Sequence, residues 1–309
     1  MFCIQLHEEI DASKILFTGL DSAGKTSIIL ALQREFSQIA TLHPTRQAQR
    51  KIFEFLSHKI AEWDLGGQYN YRISYLKAPS KYFDKTSVCI YVIDVQDESR
   101  IEESLSYLKD VVDEFKKLEI NPPIYIFLHK LDPQLKKKKP IETEKRNLDI
   151  RNKALEIVGD IHLIEFFKTS IYDLWTVMTA FSKILLALYP QSELIDKTIA
   201  EFAEMNDAHA IIVLDSNSLI IGQYFSSEEA MTILEHATPY FLTLNDSFSG
   251  VDESKKMIVA RGGLVYYFDE IKLGKDMKPL FLLIMKEENV FDDKKIQTFV
   301  QIFKDLIIP

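Results

Sequence analysis

The sequence predicts an α/β protein, in which a doubly wound, mostly parallel sheet is followed by a smaller α+β domain. From residue 14 to residue 190, short β-rich apolar runs alternate with helical patterns, which is typical of a parallel sheet covered by helices on both faces. After YPQS at residues 189–192 the pattern changes to helices and paired strands. Because a chain of 309 residues is longer than a single core usually supports, we expect two domains, residues 1–190 and residues 191–309.

The first domain is predicted from apolar runs bounded by turn signals and from stretches with helical spacing. The predicted strands are residues 14–19, 51–56, 59–65, 87–95, 122–130 and 162–170, and the predicted helices are residues 25–36, 100–118, 141–158 and a last one ending near residue 188. This order favours a doubly wound nucleotide-binding architecture. Ligands are then expected beyond the carboxyl ends of the strands.

The second domain has a different order of elements. The predicted elements are a helix at residues 193–205, a hairpin at 209–225, a helix at 226–243, strands at 256–262, 264–271 and 279–286, and a closing helix at 292–306. No catalytic constellation is apparent there, since His209 and His236 are isolated from other reactive side chains.

Composition and charge narrow the class of protein. A net charge of −9 and a pI near 5.4 disfavour nucleic acid as a partner, and the lysines at residues 136–139 are predicted to form a solvated loop. Cys3 and Cys89 do not make a disulfide framework, which suits a reducing compartment. No apolar run is long enough to span a bilayer. We therefore expect a cytoplasmic protein that reaches membranes only through partner proteins.

The stretch GLDSAGKT at residues 19–26 fits the pattern G-x-x-x-x-G-K-[ST] and lies between the first strand and the first helix. Glycines let the backbone wrap around phosphate oxygens, with N–H groups and the helix N-terminus turned inward. The lysine is expected to reach the β and γ phosphates and the threonine to bind Mg²⁺. The expected phosphate-binding residues are Asp21, Ser22, Ala23, Gly24, Lys25, Thr26 and Ser27.

A second motif, EWDLGGQ at residues 62–68, ends a predicted strand. Asp64 is placed to hold the Mg²⁺ shell, and the bare backbone of Gly67 is able to approach a γ-phosphate. We expect Gln68 to orient the attacking water. In the loop TLHPTRQ, Thr45 is the favoured residue to close over Mg²⁺, and Thr41 is the weaker alternative.

The base is expected to be recognised by the motif HKLD at residues 129–132. Asp132 is able to accept hydrogen bonds from the ring N–H and exocyclic amine of guanine, whereas adenine would leave a buried carboxylate unpaired. The stem of Lys130 is expected to cover the base, and the backbone around Ser170 and Ile171 to form the far wall. The sequence therefore predicts GTP and GDP with Mg²⁺, and an ATP-using enzyme is the least favoured alternative.

Together these motifs resemble those of Ras-like small GTPases, and GLDSAGKT with WDLGGQ looks closest to the Arf branch. His129, where most of that superfamily has Asn, and the motif TSIYD are familiar from Rag (Gtr) GTPases, in particular the RagC and RagD branch. The resemblance covers residues 14–192. With His129 in this position we expect slower or weaker nucleotide binding, although the ring is still able to donate to N7 of the base.

The resemblance implies a Ras-like P-loop GTPase domain followed by a roadblock/longin-like α+β domain. Rag proteins pair through that domain, so the implied partners are a second Rag-like GTPase or a second copy, together with activating and exchange proteins. The order of elements predicted after residue 192 matches such a domain independently.

The favoured function is a GTP-hydrolysing switch in which Lys25 and Gln68 are catalytic. No motif places an arginine in cis, so a partner is expected to supply one. Two alternatives remain open: a nucleotide-bound scaffold with little turnover, and an Arf-like trafficking switch with an appended domain. The N-terminal segment MFCIQLHEEI weakens the last alternative, because it lacks a glycine for myristoylation.

Overall fold

The computed structural model describes residues 12–39, 41–56, 58–248, 256–272 and 278–307. Cys3 and the N-terminal segment considered above lie outside the described residues. The chain divides into two compact units between Ala180 and Phe181, inside a helix that covers Leu174–Ala187. The domain boundary at residue 190 stays a prediction.

The first unit contains a six-stranded sheet in the order β2-β3-β1-β4-β5-β6. The strands are β1 Ser13–Thr18, β2 Ala48–Phe55, β3 His58–Leu65, β4 Thr86–Asp94, β5 Ile124–His129 and β6 Ile164–Lys168. Only β2 runs antiparallel to its neighbour, β3; the other pairs are parallel. The central strand β1 therefore ends at the same edge as β3, β4 and β5, where the functional loops begin.

Helices connect and follow these strands. They are α1 Lys25–Leu32, α2 Phe36–Ile39, α3 Tyr69–Leu76, α4 Pro79–Tyr82, α5 Ile101–Lys117, α6 Pro133–Lys138, α7 Pro140–Val158 and α8 Leu174–Ala187. Helix α5 places Leu105, Leu108, Val112 and Phe115 in the core, at the spacing of one helical face. The predicted doubly wound architecture is confirmed.

Three local predictions differ from the structure. Helix α1 stops at Leu32 rather than near residue 36, because Arg34 adopts φ 58°, and a separate helix, α2, begins at Phe36. Helices α3 and α4 were not predicted. The lysine run is also not a simple loop: α6 extends to Lys138, since Asp132 takes an extended N-cap conformation and Pro133 supplies a first helical residue with fixed φ. Lys137, Lys138 and Lys139 are nevertheless exposed.

The second unit is an antiparallel α+β domain, as predicted. Its elements after α8 are α9 Ser192–Glu204, β7 Ala210–Leu214, β8 Ile220–Phe225, α10 Glu228–Phe248, β9 Met257–Arg261, β10 Leu264–Ile271, β11 Leu280–Lys286 and α11 Asp293–Ile307. The sheet order is β8-β7-β11-β10-β9. Helix α10 continues past the predicted end at residue 243 despite Pro239 in its interior.

Helices cover both faces of this second sheet. A Cβ on Gly222 of β8 would lie 2.5 Å from Ile199 Cδ1, so the missing side chain lets α9 approach the strand closely. Phe202 of α9 stacks on Phe299 of α11, with 4.2 Å between ring centroids. Phe241 of α10 stacks on Phe268 of β10 from the other face. None of the helices among the described residues is both long and apolar enough to cross a bilayer.

Candidate functional site

The loop between β1 and α1 depends on residues that tolerate a left-handed backbone. Gly19 has φ 133° and Gly24 has φ 100°, and Ser22 adopts φ 61° between them. A Cβ on Gly19 would lie 2.4 Å from the carbonyl oxygen of Val92. Only glycine fits there, so the sequence pattern has a direct steric cause.

Lys25 points its ammonium back into this loop. Its Nζ donates to the carbonyl oxygens of Gly19 at 3.1 Å and Leu20 at 2.7 Å, and the residue is 5% exposed. Burial lowers the pKa of Lys25 to about 8, while the carboxylates of Asp64 and Asp21 act in the opposite direction. A cation fixed in a concave loop of this kind suits an anionic ligand.

Three oxygen-bearing side chains converge beside the start of α1. Thr26 Oγ1 donates to Asp64 Oδ2 at 2.6 Å and lies 2.6 Å from Thr45 Oγ1, which in turn lies 3.4 Å from Asp64 Oδ2. Burial raises the pKa of Asp64, although Lys25 and both hydroxyls lower it. Thr41 is exposed and donates to the carbonyl of Gln38 instead. The structure thus places Thr45, and not Thr41, beside Thr26.

This cluster fits a hard cation. Asp64 Oδ1 is buried and has no hydrogen-bond partner among the described residues, so one carboxylate oxygen is left to accept a ligand. Hydroxyl and carboxylate oxygens are the ligands that Mg²⁺ prefers. No group of three or more His, Cys, Asp or Glu side chains suited to a metal occurs in the part of the chain that the structure describes.

The segment after β3 packs directly on the phosphate loop. A Cβ on Gly67 would lie 2.1 Å from the backbone nitrogen of Asp21, and one on Gly66 would lie 2.6 Å from the carbonyl oxygen of Thr45. Gln68 then takes an extended conformation as the N-cap residue of α3. Both glycines are therefore required by close backbone approach.

A cavity of about 230 Å³ lies between these segments. Its walls come from the phosphate loop, the loop before β2, the start of α3 and the end of β5. The lining residues are Asp21, Ser22, Gly24, Lys25, Thr26, Ser27, Leu42, His43, Pro44, Thr45, Gly67, Gln68 and Lys130. Most of the residues predicted from sequence to bind phosphate thus surround one cavity. Ala23 is not part of its lining and faces a separate small recess.

The predicted base-binding residues lie together at the ends of β5 and β6. Asp132 Oδ1 accepts from Ser170 Oγ at 2.5 Å, and Asp132 Oδ2 accepts from Gln96 Nε2 at 2.9 Å. Lys130 Nζ donates to Asp94 Oδ2 at 2.7 Å, and Ile171 is half-buried after Ser170. Gln96 was not predicted from sequence, but it follows β4 at the same sheet edge, which is the signal that points to it.

His129 connects the base side to the phosphate loop. His129 is 1% exposed, and its Nδ1 lies 2.9 Å from Thr169 Oγ1. A Cβ added to Gly24 would lie 2.6 Å from Cδ2 of the His129 ring, so the ring occupies the space that a side chain there would need. Burial lowers the pKa of His129 to about 4, so the ring is neutral near pH 7. Gly24 is needed for this ring contact as well as for its positive φ.

Arg100 is a residue that the sequence reasoning missed. Its Nη2 donates to Asp21 Oδ1 at 2.7 Å, and its Nη1 lies 3.4 Å from the carbonyl oxygen of Asp21. Burial alone would raise the pKa of Asp21, but the hydrogen bond and charge of Arg100 outweigh it and leave that pKa below its usual value. An arginine in cis therefore does touch the phosphate loop. No motif marks it, since it precedes α5 in a connecting segment.

Comparison with known proteins agrees with this geometry. Residues 14–239 match the family described as "Gtr1/RagA G protein conserved region". The chain is 37% identical over 120 residues to "ADP-ribosylation factor-like protein 3" of Chlamydomonas reinhardtii and 31% identical over 119 residues to "ADP-ribosylation factor F" of Dictyostelium discoideum. These matches cover 39% and 38% of this chain and only 63% and 60% of the two relatives.

A solved structure, that of the small GTPase Arl6 (BBS3) of Trypanosoma brucei with bound nucleotide analogue GppNp, is 20% identical with a TM-score of 0.43. It covers 56% of this chain and 95% of that one. The family match extends beyond the first unit into α10 of the second. The resemblance to Rag proteins is confirmed, while assignment to the RagC and RagD branch stays a prediction. This chain belongs to the Gtr/Rag family of small G proteins, a membership that implies guanine-nucleotide binding.

Proposed function

We propose that this chain is a GTP-hydrolysing molecular switch whose nucleotide state is read by other proteins. The observation that supports it most is a single cavity that brings together a buried lysine, a hydroxyl–carboxylate cluster and a glutamine. Lys25 and the loop N–H groups would stabilise charge on the β and γ phosphates. Gln68, at the cavity wall, would orient the attacking water in line.

Mg²⁺ would be held by Thr26, Thr45 and Asp64, and it would supply charge neutralisation between the phosphates. Thr45 belongs to a loop that lines the same cavity, so its hydroxyl is a means for that loop to respond to the ligand. Asp132 would select guanine, with Lys130 over the base and Ser170 and Ile171 as the far wall. The bond from Ser170 would keep the Asp132 carboxylate oriented.

The decisive experiment is single-turnover GTP hydrolysis by the full chain with Mg²⁺, compared with Gln68→Leu. We expect slow but measurable hydrolysis by the parent and a rate at least about tenfold lower in the variant, with GTP affinity retained. Equal rates would refute the role of Gln68. Tight GTP binding with no turnover by the parent would favour the scaffold alternative.

We also propose that the second unit is a roadblock-like pairing domain. Ile258 and Val259, on the edge strand β9, are 47% and 39% exposed, and Tyr240 and Leu244 of α10 are 73% and 41% exposed. An edge strand with apolar side chains is a template for another chain, and the partner would be a second Rag-like GTPase or a second copy.

Light scattering on the full chain, alone and mixed with a roadblock-bearing GTPase, tests this pairing. We expect the parent chain to be dimeric in one of the two samples, and we expect Val259→Glu to be monomeric in both. Monomers throughout would favour the Arf-like alternative. Activating and exchange proteins would regulate the switch, and a cytoplasmic location with membrane contact through partners is part of the same proposal.

A further inference from the structure

Four charged side chains connect the phosphate loop to α3 through α5. Asp21 pairs with Arg100, with 2.7 Å between Oδ1 and Nη2, and Arg100 Nε donates to Glu103 Oε2 at 3.1 Å. The other carboxylate oxygen of Glu103 accepts from Arg72 Nη2, in α3. Negative and positive charges alternate along this series of ion pairs, so each charge has an opposite neighbour. All four residues lie in the first unit.

The last residue in this series of ion pairs, Arg72, is buried. Arg72 is 6% exposed, and its guanidinium lies over the ring of Tyr107, 5.0 Å from the centroid. A buried guanidinium without a carboxylate is strongly unfavourable. Glu103 is therefore more than a surface partner, since it neutralises a cation that fixes α3 against α5.

The same two segments meet a second time on the cavity side. Gly67 packs on the backbone of Asp21, close enough that a Cβ would lie 2.1 Å from its nitrogen. Gln68 follows Gly67 and is the N-cap residue of α3. The contacts thus form a closed ring that runs from Asp21 through Arg100, Glu103 and Arg72, and returns through Gln68 and Gly67.

We propose that Arg100, Glu103 and Arg72 are positioning residues for Gln68, which fix the start of α3 relative to the phosphate loop through Asp21. This inference rests on the proposed hydrolysis, for which Gln68 must hold water in line with the γ-phosphate. A glutamine at the N-cap position of a short helix follows any tilt of that helix. Two attachments, one on each side of Gln68, prevent this tilt.

The test compares Glu103→Gln with Glu102→Gln, a matched change on the same helix. Glu102 pairs with Lys153 of α7 and is not part of the closed ring of contacts that links Asp21 to Gln68. Removing the charge of Glu103 leaves Arg72 and Arg100 without their common carboxylate. We expect single-turnover hydrolysis to slow about tenfold in Glu103→Gln, because small misplacements of a reacting group have effects of that size or larger. GTP affinity stays within about twofold, and Glu102→Gln retains both parent values.

A background of Gln68→Leu separates positioning from general destabilisation. There, Glu103→Gln has no further effect on the residual rate, because the group it positions is absent. Equal hydrolysis by Glu103→Gln and Glu102→Gln would overturn the proposal, and so would additive slowing in the Gln68→Leu background. Arg100→Gln, a change at a partly exposed residue, serves as a second variant with the same expected pattern.

Amide hydrogen exchange of residues 69–76 gives a readout that does not require turnover. We expect these amides to exchange more slowly in the parent with a non-hydrolysable GTP analogue than with GDP, and this difference to vanish in Glu103→Gln but not in Glu102→Gln. A difference that persists in Glu103→Gln, or that is absent from the parent, would refute the connection. Absent hydrolysis with the expected exchange pattern would instead refute only the enzymatic part of the proposed function.

Discussion

Replacing Gly67 by alanine tests the claim that its backbone contacts the terminal phosphate. The added Cβ would lie 2.1 Å from the nitrogen of Asp21 and 2.4 Å from the carbonyl oxygen of Leu20, both of which are backbone atoms. Since ordinary contacts begin near 3.4 Å, the two segments must separate by about 1.3 Å. A displacement of that size breaks a hydrogen bond from the Gly67 N–H to a phosphate oxygen.

The magnitude follows from the lost bond. A hydrogen bond to a charged group contributes about 1.5–3 kcal/mol, so GTP should bind about 10- to 150-fold more weakly to Gly67→Ala. GDP has no γ-phosphate, so its affinity should change by less than about threefold. Competition titration with a fluorescent guanine nucleotide measures both constants on one sample.

Gly159→Ala is the matched control. Gly159 has φ 67°, and its added Cβ would meet no atom within 4 Å, so this change strains the backbone away from the cavity. It should lower the melting temperature but leave the ratio of GTP to GDP affinity unchanged. If Gly67→Ala also leaves that ratio unchanged, Gly67 does not contact the γ-phosphate.

Three further changes test other parts of the site. Folding lowers the pKa of His129 from 6.5 to about 4, so the stability that this residue contributes is present above pH 6.5 and is lost as the pH falls through 4. Between these pH values, the unfolding free energy of the parent should drop by as much as about 3 kcal/mol more than that of His129→Asn. Urea titrations would measure this difference. The same variant should bind GTP more tightly, and an unchanged dissociation constant would contradict this. Asp132→Asn should bind GTP about 100-fold more weakly and gain affinity for xanthosine triphosphate, whereas retained guanine preference would remove Asp132 from the base site. Thr26→Ala should release GDP at the same rate with and without EDTA, while Thr26→Ser, which keeps the hydroxyl, should still respond to the chelator.

Much of the fold and the phosphate side of the site follows from local sequence. The phosphate loop is predictable because Gly19 and Gly24 adopt positive φ in a short segment between a strand and a helix. Asp64 is predictable as well, since it ends a strand whose register beside β1 pairs it with Phe17. In both cases the chemistry depends on a few consecutive residues at one sheet edge.

Other features depend on residues far apart in the chain. Arg100 meets Asp21 across 79 positions, and the base-side bond from Gln96 to Asp132 spans 36. Neither residue belongs to a recognisable motif; the position of Gln96 just after β4 places it at the functional edge of the sheet, but only the fold brings it to Asp132. Helix α3 was missed for a related reason: its stability depends on tertiary contacts such as the burial of Arg72 and Tyr75, and its own sequence is only weakly amphipathic.

The negative charge of Asp21 is unfavourable in a loop that binds phosphate, and Arg100 offsets it. A carboxylate in a phosphate-binding loop would repel the phosphates, and at 36% exposure solvent screens it only in part. The ion pair with Arg100 offsets the charge of Asp21, so the positive charge of Lys25 in the loop is opposed mainly by Asp64. A neutral residue would avoid the repulsion equally well, but it would offer no charge to connect with Glu103 and Arg72. A charged Asp21 with its ion pair to Arg100 therefore has a role that a neutral residue lacks, which is to connect the loop to α3.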